Sequence, residues 1–131
     1  MRDIDGARML LDLARKDRAA MLVLKDADEV GDQAFGFHAQ QAVEKALKAW
    51  LSVLGVPYPF THSLDTLLGL LEDEVGEEDV CQFRGLDVLG PFAVQFRYIA
   101  YDSEDDLDKD AIVSDVDKLL QYVGVLVGDK R

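Results

Sequence analysis

The segment from Asp32 to Leu54 constrains the fold more than any other part of the chain, because its apolar residues recur at the three- and four-residue spacing of an α-helix. A row of polar residues lies on another side of the same predicted helix. A long two-sided helix must bury its apolar side, so further helices should pack against it. The apolar side holds Phe35, Ala39, Val43, Ala46, Leu47, Trp50 and Leu54, and the polar row holds His38, Gln41, Lys45 and Lys48.

Glycine and proline divide the rest of the chain into further helical stretches, and no segment sustains the alternation of β-branched residues that is typical of a strand. Short links between helices favour antiparallel neighbours. With 131 residues, the sequence therefore predicts one domain, residues 1–131, that is an all-α, up-and-down bundle of four to five antiparallel helices. The predicted helices cover about residues 3–29, 32–54, from a cap at Thr61 or Ser63 to Gly76, 78–101 with a kink or break at Gly90-Pro91, and 109–127.

The net charge of −12 at first disfavours a nucleic-acid partner, because phosphate binding usually draws on an excess of lysine and arginine. The acidic residues are unevenly distributed, however. Residues 72–79 and 102–110 together hold 12 of the 26 acids, whereas 13 of the 14 bases lie elsewhere. The body of the protein is thus nearly neutral, and a nucleotide or RNA ligand stays compatible with its composition.

Several classes of protein are disfavoured by what the sequence lacks. No apolar stretch approaches the roughly 20 residues that span a bilayer, the N-terminus does not resemble a secretory signal, and Cys81 is the single cysteine. We therefore expect a cytoplasmic protein that does not bind a membrane. Phosphate-binding loops, zinc-protease motifs and serine-hydrolase elbows are also missing, so we expect no cofactor and no metal site.

Three segments together resemble the HEPN family, a group of helical domains often found beside a minimal nucleotidyltransferase. The first is Phe37-His38-Ala39-Gln40-Gln41-Ala42-Val43-Glu44-Lys45-Ala46-Leu47-Lys48-Ala49. The second is Thr61-His62-Ser63-Leu64, and the third is Arg97-Tyr98. A weaker match is Ala14-Arg15-Lys16-Asp17 in the first predicted helix. The resemblance implies a helical bundle that commonly forms homodimers. It also implies several possible functions, since the family includes toxin halves of nucleotidyltransferase pairs, ribonucleases and nucleotide-binding appendages.

The ribonucleases of this family resemble one another in an arginine that is followed, after four to six residues, by a histidine. Here Arg97 corresponds to the arginine, but Asp102 occupies the first position at which the histidine is expected. A histidine moves protons near neutral pH, whereas an exposed aspartate is already ionised and repels phosphate. The altered motif therefore disfavours a metal-independent ribonuclease. The weak catalytic candidates that remain are Arg97, His38, His62 and Asp102.

The residues that could bind a ligand are drawn from the matching segments. They are Arg97, Tyr98, Lys45, Gln41, His38 and His62, with the tyrosine stacking on a base and the cations meeting phosphate. Each also has a structural interpretation. Arg97 could form an ion pair with Asp17 or Glu44, His62 could cap the third helix, and Glu44 could pair with Lys48 across one helical turn.

These observations leave three hypotheses for the function. The leading one is a non-enzymatic module that binds a nucleotide, partners a separately encoded minimal nucleotidyltransferase, or does both, in one version as half of a toxin-antitoxin pair. The second is a ribonuclease with an altered site, in which Arg97 binds the scissile phosphate and His38 or His62 replaces the missing histidine. The third is a purely structural dimeric interaction protein.

Overall fold

The computed structural model describes residues 2–27, 31–93 and 108–128. Every regular element in these ranges is helical, so the predicted all-α bundle is confirmed. The elements are α1 (Ile4–Leu24), α2 (Gly31–Leu54), α3 (Leu64–Val75), the single turn α4 (Glu77–Val80), a 3-10 helix (Cys81–Phe92) and α5 (Lys109–Leu126).

Side-chain caps fix where three of these helices begin. The carboxylate of Asp3 accepts a hydrogen bond from the Gly6 amide at 2.9 Å, and that of Asp108 accepts one from the Ala111 amide at 3.1 Å. Of the two predicted caps for α3, Ser63 is the one used, since its hydroxyl accepts from the Thr66 amide at 3.2 Å. These contacts satisfy amide groups that have no partner within the helix.

Helix α1 runs antiparallel to α2. Near one end of the pair, the Asp3 amide donates to the carbonyl of Ser52 at 2.9 Å, and further along, Asp17 meets His38. The first predicted helix, residues 3–29, proves shorter, because α1 ends at Leu24 and a turn follows. This arrangement places the polar middle of α1 beside the polar row of α2.

Helix α5 closes the bundle against both α1 and α2. At its start, the ammonium of Lys109 lies 3.0 Å from the Asp32 carboxylate of α2 and 3.0 Å from the Lys25 carbonyl that follows α1. Near its end, the Arg8 guanidinium donates to the carbonyl of Val127 at 3.1 Å. Helix α5 is therefore antiparallel to α1, with one lysine joining its start to the other two long helices.

The core contains an aromatic cluster formed by Trp50, Phe83 and Tyr122. The Trp50 ring lies 4.8 Å from the Tyr122 ring and 6.0 Å from the Phe83 ring, measured between centroids. Trp50, which the sequence places on the apolar side of α2, is buried, and so are Phe83 and Phe92. Around the cluster, the apolar sides of α1, α2, α3 and α5 supply leucine, valine and alanine.

The fourth predicted helix differs from expectation. The sequence predicts an α-helix over 78–101, but after one turn the chain continues as a 3-10 helix that contains Gly90-Pro91, and residues 94–101 of the predicted helix lie outside the described residues. The reason lies in its apolar residues, which recur every third position. A 3-10 helix has three residues per turn, so this spacing lines up all of them on one side, whereas an α-helix would spread them around its axis. The buried series is Val80, Phe83, Leu86, Leu89 and Phe92.

Among the helices of the described ranges, none combines the length and the apolar composition that crossing a bilayer requires.

Candidate functional site

Asp17, which α1 supplies, organises one part of the polar side of α2. One of its carboxylate oxygens lies 2.5 Å from the Lys45 ammonium, and the other lies 3.1 Å from Nδ1 of His38. The two contacted residues are seven positions apart on α2, which is about two helical turns. The side chain of Asp17 is only 13 % exposed, so the ion pair is partly withdrawn from water.

Glu44 organises a second part of the same side of α2, and it is a buried carboxylate. It contacts the Lys48 ammonium at 3.0 Å, Nδ1 of His62 at 2.9 Å and the Gln40 amide at 3.1 Å. Glu44 itself is 4 % exposed, and the Lys48 side chain is 13 % exposed. The predicted Glu44–Lys48 pair therefore exists, but it is buried rather than solvated.

The surroundings of Glu44 change its protonation equilibrium. Burial by itself would raise the pKa of the Glu44 carboxyl, because a charge is poorly solvated inside the protein. Hydrogen bonds from Lys48, His62 and Gln40 act in the opposite direction and outweigh burial, so the pKa of Glu44 is held below its ordinary value of 4.5. At neutral pH this carboxylate is ionised and accepts all three contacts.

The loop between α2 and α3 is tied to this network. The Gln40 amide donates to the backbone carbonyl of His62 at 3.2 Å as well as to Glu44, and the Gln41 amide donates to the Gln40 side chain at 2.7 Å. Within the same loop, the Tyr58 ring lies 5.8 Å from the Lys48 ammonium. The loop is therefore held against α2 by side-chain contacts, in addition to following α2 directly in the chain.

The two carboxylates also fix the orientation of the two imidazole rings. An ionised carboxylate only accepts hydrogen bonds, so Nδ1 of His38 and Nδ1 of His62 must donate to Asp17 and Glu44. In each neutral ring, Nε2 is then the nitrogen that accepts a proton. The His62 side chain is 54 % exposed and is the most accessible member of the network. The arrangement therefore presents two oriented imidazole groups and two carboxylate-tethered lysines.

The structure brings together four of the six predicted ligand-binding residues on or beside α2. His38 and Lys45 share Asp17, while Gln41 and His62 both contact Gln40. His62 does not cap α3, because Ser63 has that role. The remaining candidates Arg97 and Tyr98, with the catalytic candidate Asp102, lie outside the described residues. Asp17 and Glu44, which were considered as partners for Arg97, are each engaged by other cations.

Sequence reasoning missed two features of the site. Gln40, which is fully buried, was not singled out, although its four-residue spacing from Glu44 favours a contact between them on a helix. Asp17 was considered only as a partner for Arg97, because one sequence does not show which turn of α1 faces Lys45. Within the described residues, no group of three or more histidine, cysteine, aspartate or glutamate side chains could hold a metal ion.

Comparison with protein families matches residues 7–126 of this chain to the HEPN domain. The matched region contains α1 through α5 apart from the first turn of α1, and it includes both carboxylate networks. No curated protein and no solved structure matches the chain significantly.

Proposed function

Because this chain belongs to the HEPN domain family, we propose that it is a non-catalytic module that binds a nucleotide and works with a separately encoded minimal nucleotidyltransferase. The observation that carries the nucleotide part is the pair of networks along α2, which orient Lys45, His38 and His62 through Asp17 and Glu44.

Tethering prepares these side chains for a phosphate group. A free lysine loses conformational freedom when it binds, whereas Lys45 is already held by Asp17. An ammonium has three donors, so a lysine bound to one carboxylate retains the capacity to donate to a phosphate oxygen. The two lysines and two carboxylates cancel in charge, so recognition would depend on placed hydrogen bonds more than on a positive field. That form of recognition suits a chain with a net charge of −12.

The nucleotide part predicts the effect of Lys45→Gln. We expect this change to raise the dissociation constant for adenosine triphosphate about tenfold, because one charge-assisted hydrogen bond is lost. Isothermal titration calorimetry at moderate salt measures it. Lys16→Gln, which removes the same charge from an exposed position of α1, is the matched control and should leave the constant nearly unchanged. Equal affinities for the wild type and Lys45→Gln would contradict a role for this network.

Family membership supports the nucleotidyltransferase part, and a toxin-antitoxin pair is one form that the partnership could take. Co-expression with a minimal nucleotidyltransferase encoded beside this chain tests it. A stable complex after two purification steps supports the partnership, and separate elution of the two proteins counts against it.

A second function, RNA cleavage, is favoured by the pairing of each imidazole with a carboxylate. Such pairs, here Asp17 with His38 and Glu44 with His62, orient a ring as a general base. Cleavage of a short RNA that disappears in both His38→Gln and His62→Gln would support this function. Absence of cleavage by the wild type would count against this second function and favour the non-catalytic module.

A further inference from the structure

The loop from Gly55 to Ser63 presents one large aromatic side chain to solvent. Phe60 is 98 % exposed, more than any other large hydrophobic residue of the described chain. Pro57 and Pro59 precede it, and together they restrict the backbone before and after Tyr58. Because the Phe60 side chain is almost fully exposed, it buries little apolar area in the core and its ring is available for contact with a ligand.

The residues on either side of Phe60 are held in place. Tyr58 is packed against the core and lies 5.8 Å from the Lys48 ammonium. On the other side, His62 is bound through its ring to Glu44 at 2.9 Å and through its carbonyl to Gln40 at 3.2 Å. The exposed ring thus extends from a loop that is anchored before and after it.

Phe60 lies directly beside the polar network. Its ring centroid is 6.0 Å from that of His62, with an angle of 68° between the two planes. Rings that cross so steeply do not stack face to face, and the high exposure of Phe60 leaves its faces open to a ligand. The flat apolar surface and the hydrogen-bonding imidazole therefore form two adjacent parts of one surface.

From this juxtaposition we infer that Phe60 is the stacking platform for the base of the bound nucleotide, with His62 contacting the same ligand. The inference rests on the proposed nucleotide binding and assigns the base-recognising residue of that site. A flat ring that carries polar groups and an attached phosphate matches both parts of the surface, whereas an inorganic polyphosphate would use only the polar part. Stacking accepts every base, so selectivity among bases should be weak.

The test compares adenosine triphosphate with inorganic tripolyphosphate by calorimetry. Phe60→Ala should raise the dissociation constant for the nucleotide about tenfold, because a stacked base typically loses this much when its aromatic partner is removed. The constant for tripolyphosphate should not change. Val23→Ala, which truncates an exposed apolar residue of α1, is the matched control and should bind both ligands like the wild type.

A third variant separates stacking from a structural effect. Phe60→Trp should retain nucleotide affinity, and the exposed indole should be quenched when the base stacks on it, while buried Trp50 contributes little change. Wild-type affinity of Phe60→Ala for the nucleotide would overturn the stacking role and leave nucleotide binding intact. If the wild type bound neither adenosine triphosphate nor tripolyphosphate, both the proposed nucleotide binding and this inference would be overturned.

Discussion

Replacing Glu44 with alanine is expected to lower the free energy of unfolding by about 3 kcal/mol, since removing one partner of a buried ion pair leaves the other charge unpaired. In this protein the Lys48 ammonium, which is largely buried, would lose its carboxylate partner, and the buried Gln40 amide would keep only its hydrogen bond to the His62 carbonyl. His62 is more exposed and would lose less. Urea denaturation, followed by circular dichroism, measures the change.

Glu74→Ala provides the control for the Glu44 variant. It removes a carboxylate of the same type from an exposed position near the end of α3, where a surface substitution should change stability by no more than about 0.5 kcal/mol. If the free energy of unfolding of Glu44→Ala were within about 1 kcal/mol of the wild-type value, the carboxylate network would not contribute to stability as its burial implies.

The lowered pKa of Glu44 gives this contribution a defined pH dependence. Because the folded state holds the pKa below the ordinary value of 4.5, the unfolded chain takes up the proton first as pH falls. The stabilisation is therefore complete above that ordinary value and is lost as pH falls through the lower, folded pKa. Glu44→Gln has no such proton to bind, so its stability difference from the wild type should be largest near neutral pH and shrink in acid.

Replacing Gly36 with alanine is expected to lower the free energy of unfolding by about 2 kcal/mol, although alanine normally stabilises a helix. A Cβ atom at this position of α2 would overlap the ring of Phe92, which is buried at the end of the 3-10 helix. The ring cannot move away without displacing its own neighbours in the core. The loss from this overlap exceeds the gain of about 1 kcal/mol from helix propensity.

Gly69→Ala is the matched control, because Gly69 also lies inside a helix, α3, but has no atom within 4 Å of the position that a Cβ would occupy. This change should raise the free energy of unfolding by roughly 0.5–1 kcal/mol. Opposite signs for the two variants would show that α2 and the 3-10 helix touch at Gly36. Stabilisation by both would mean that the Phe92 ring is not packed there.

The parts of the fold that follow from local periodicity were predictable. Helix α2 was expected at 32–54 and occupies Gly31–Leu54, and α5 was expected at 109–127 and occupies Lys109–Leu126. A period of 3.6 residues predicts an α-helix over 81–92, whereas the structure has a 3-10 helix there, with a period of three residues. The strict three-residue spacing from Val80 to Phe92 was the available signal, but 3-10 helices of this length are uncommon.

The candidate site was predictable to a smaller extent. Helical spacing correctly grouped His38, Gln41 and Lys45, and it placed Glu44 within reach of Lys48. What the spacing could not show was the depth of Glu44, which depends on a loop folding over α2. The pairing of Lys45 with Asp17 likewise depends on how α1 is aligned with α2, a property of tertiary packing.

The double contact of Lys109 has a consequence for the order in which the protein folds. Helices α1 and α2 are neighbours in the chain, whereas the start of α5 is separated from the end of α2 by roughly 55 residues, and closing this longer loop costs more entropy. Lys109 binds both the end of α1 and the start of α2, so its contacts can form only after those two helices have met. We therefore expect the Lys109 contacts to form late in folding, so that their loss would speed unfolding while leaving the rate of folding almost unchanged.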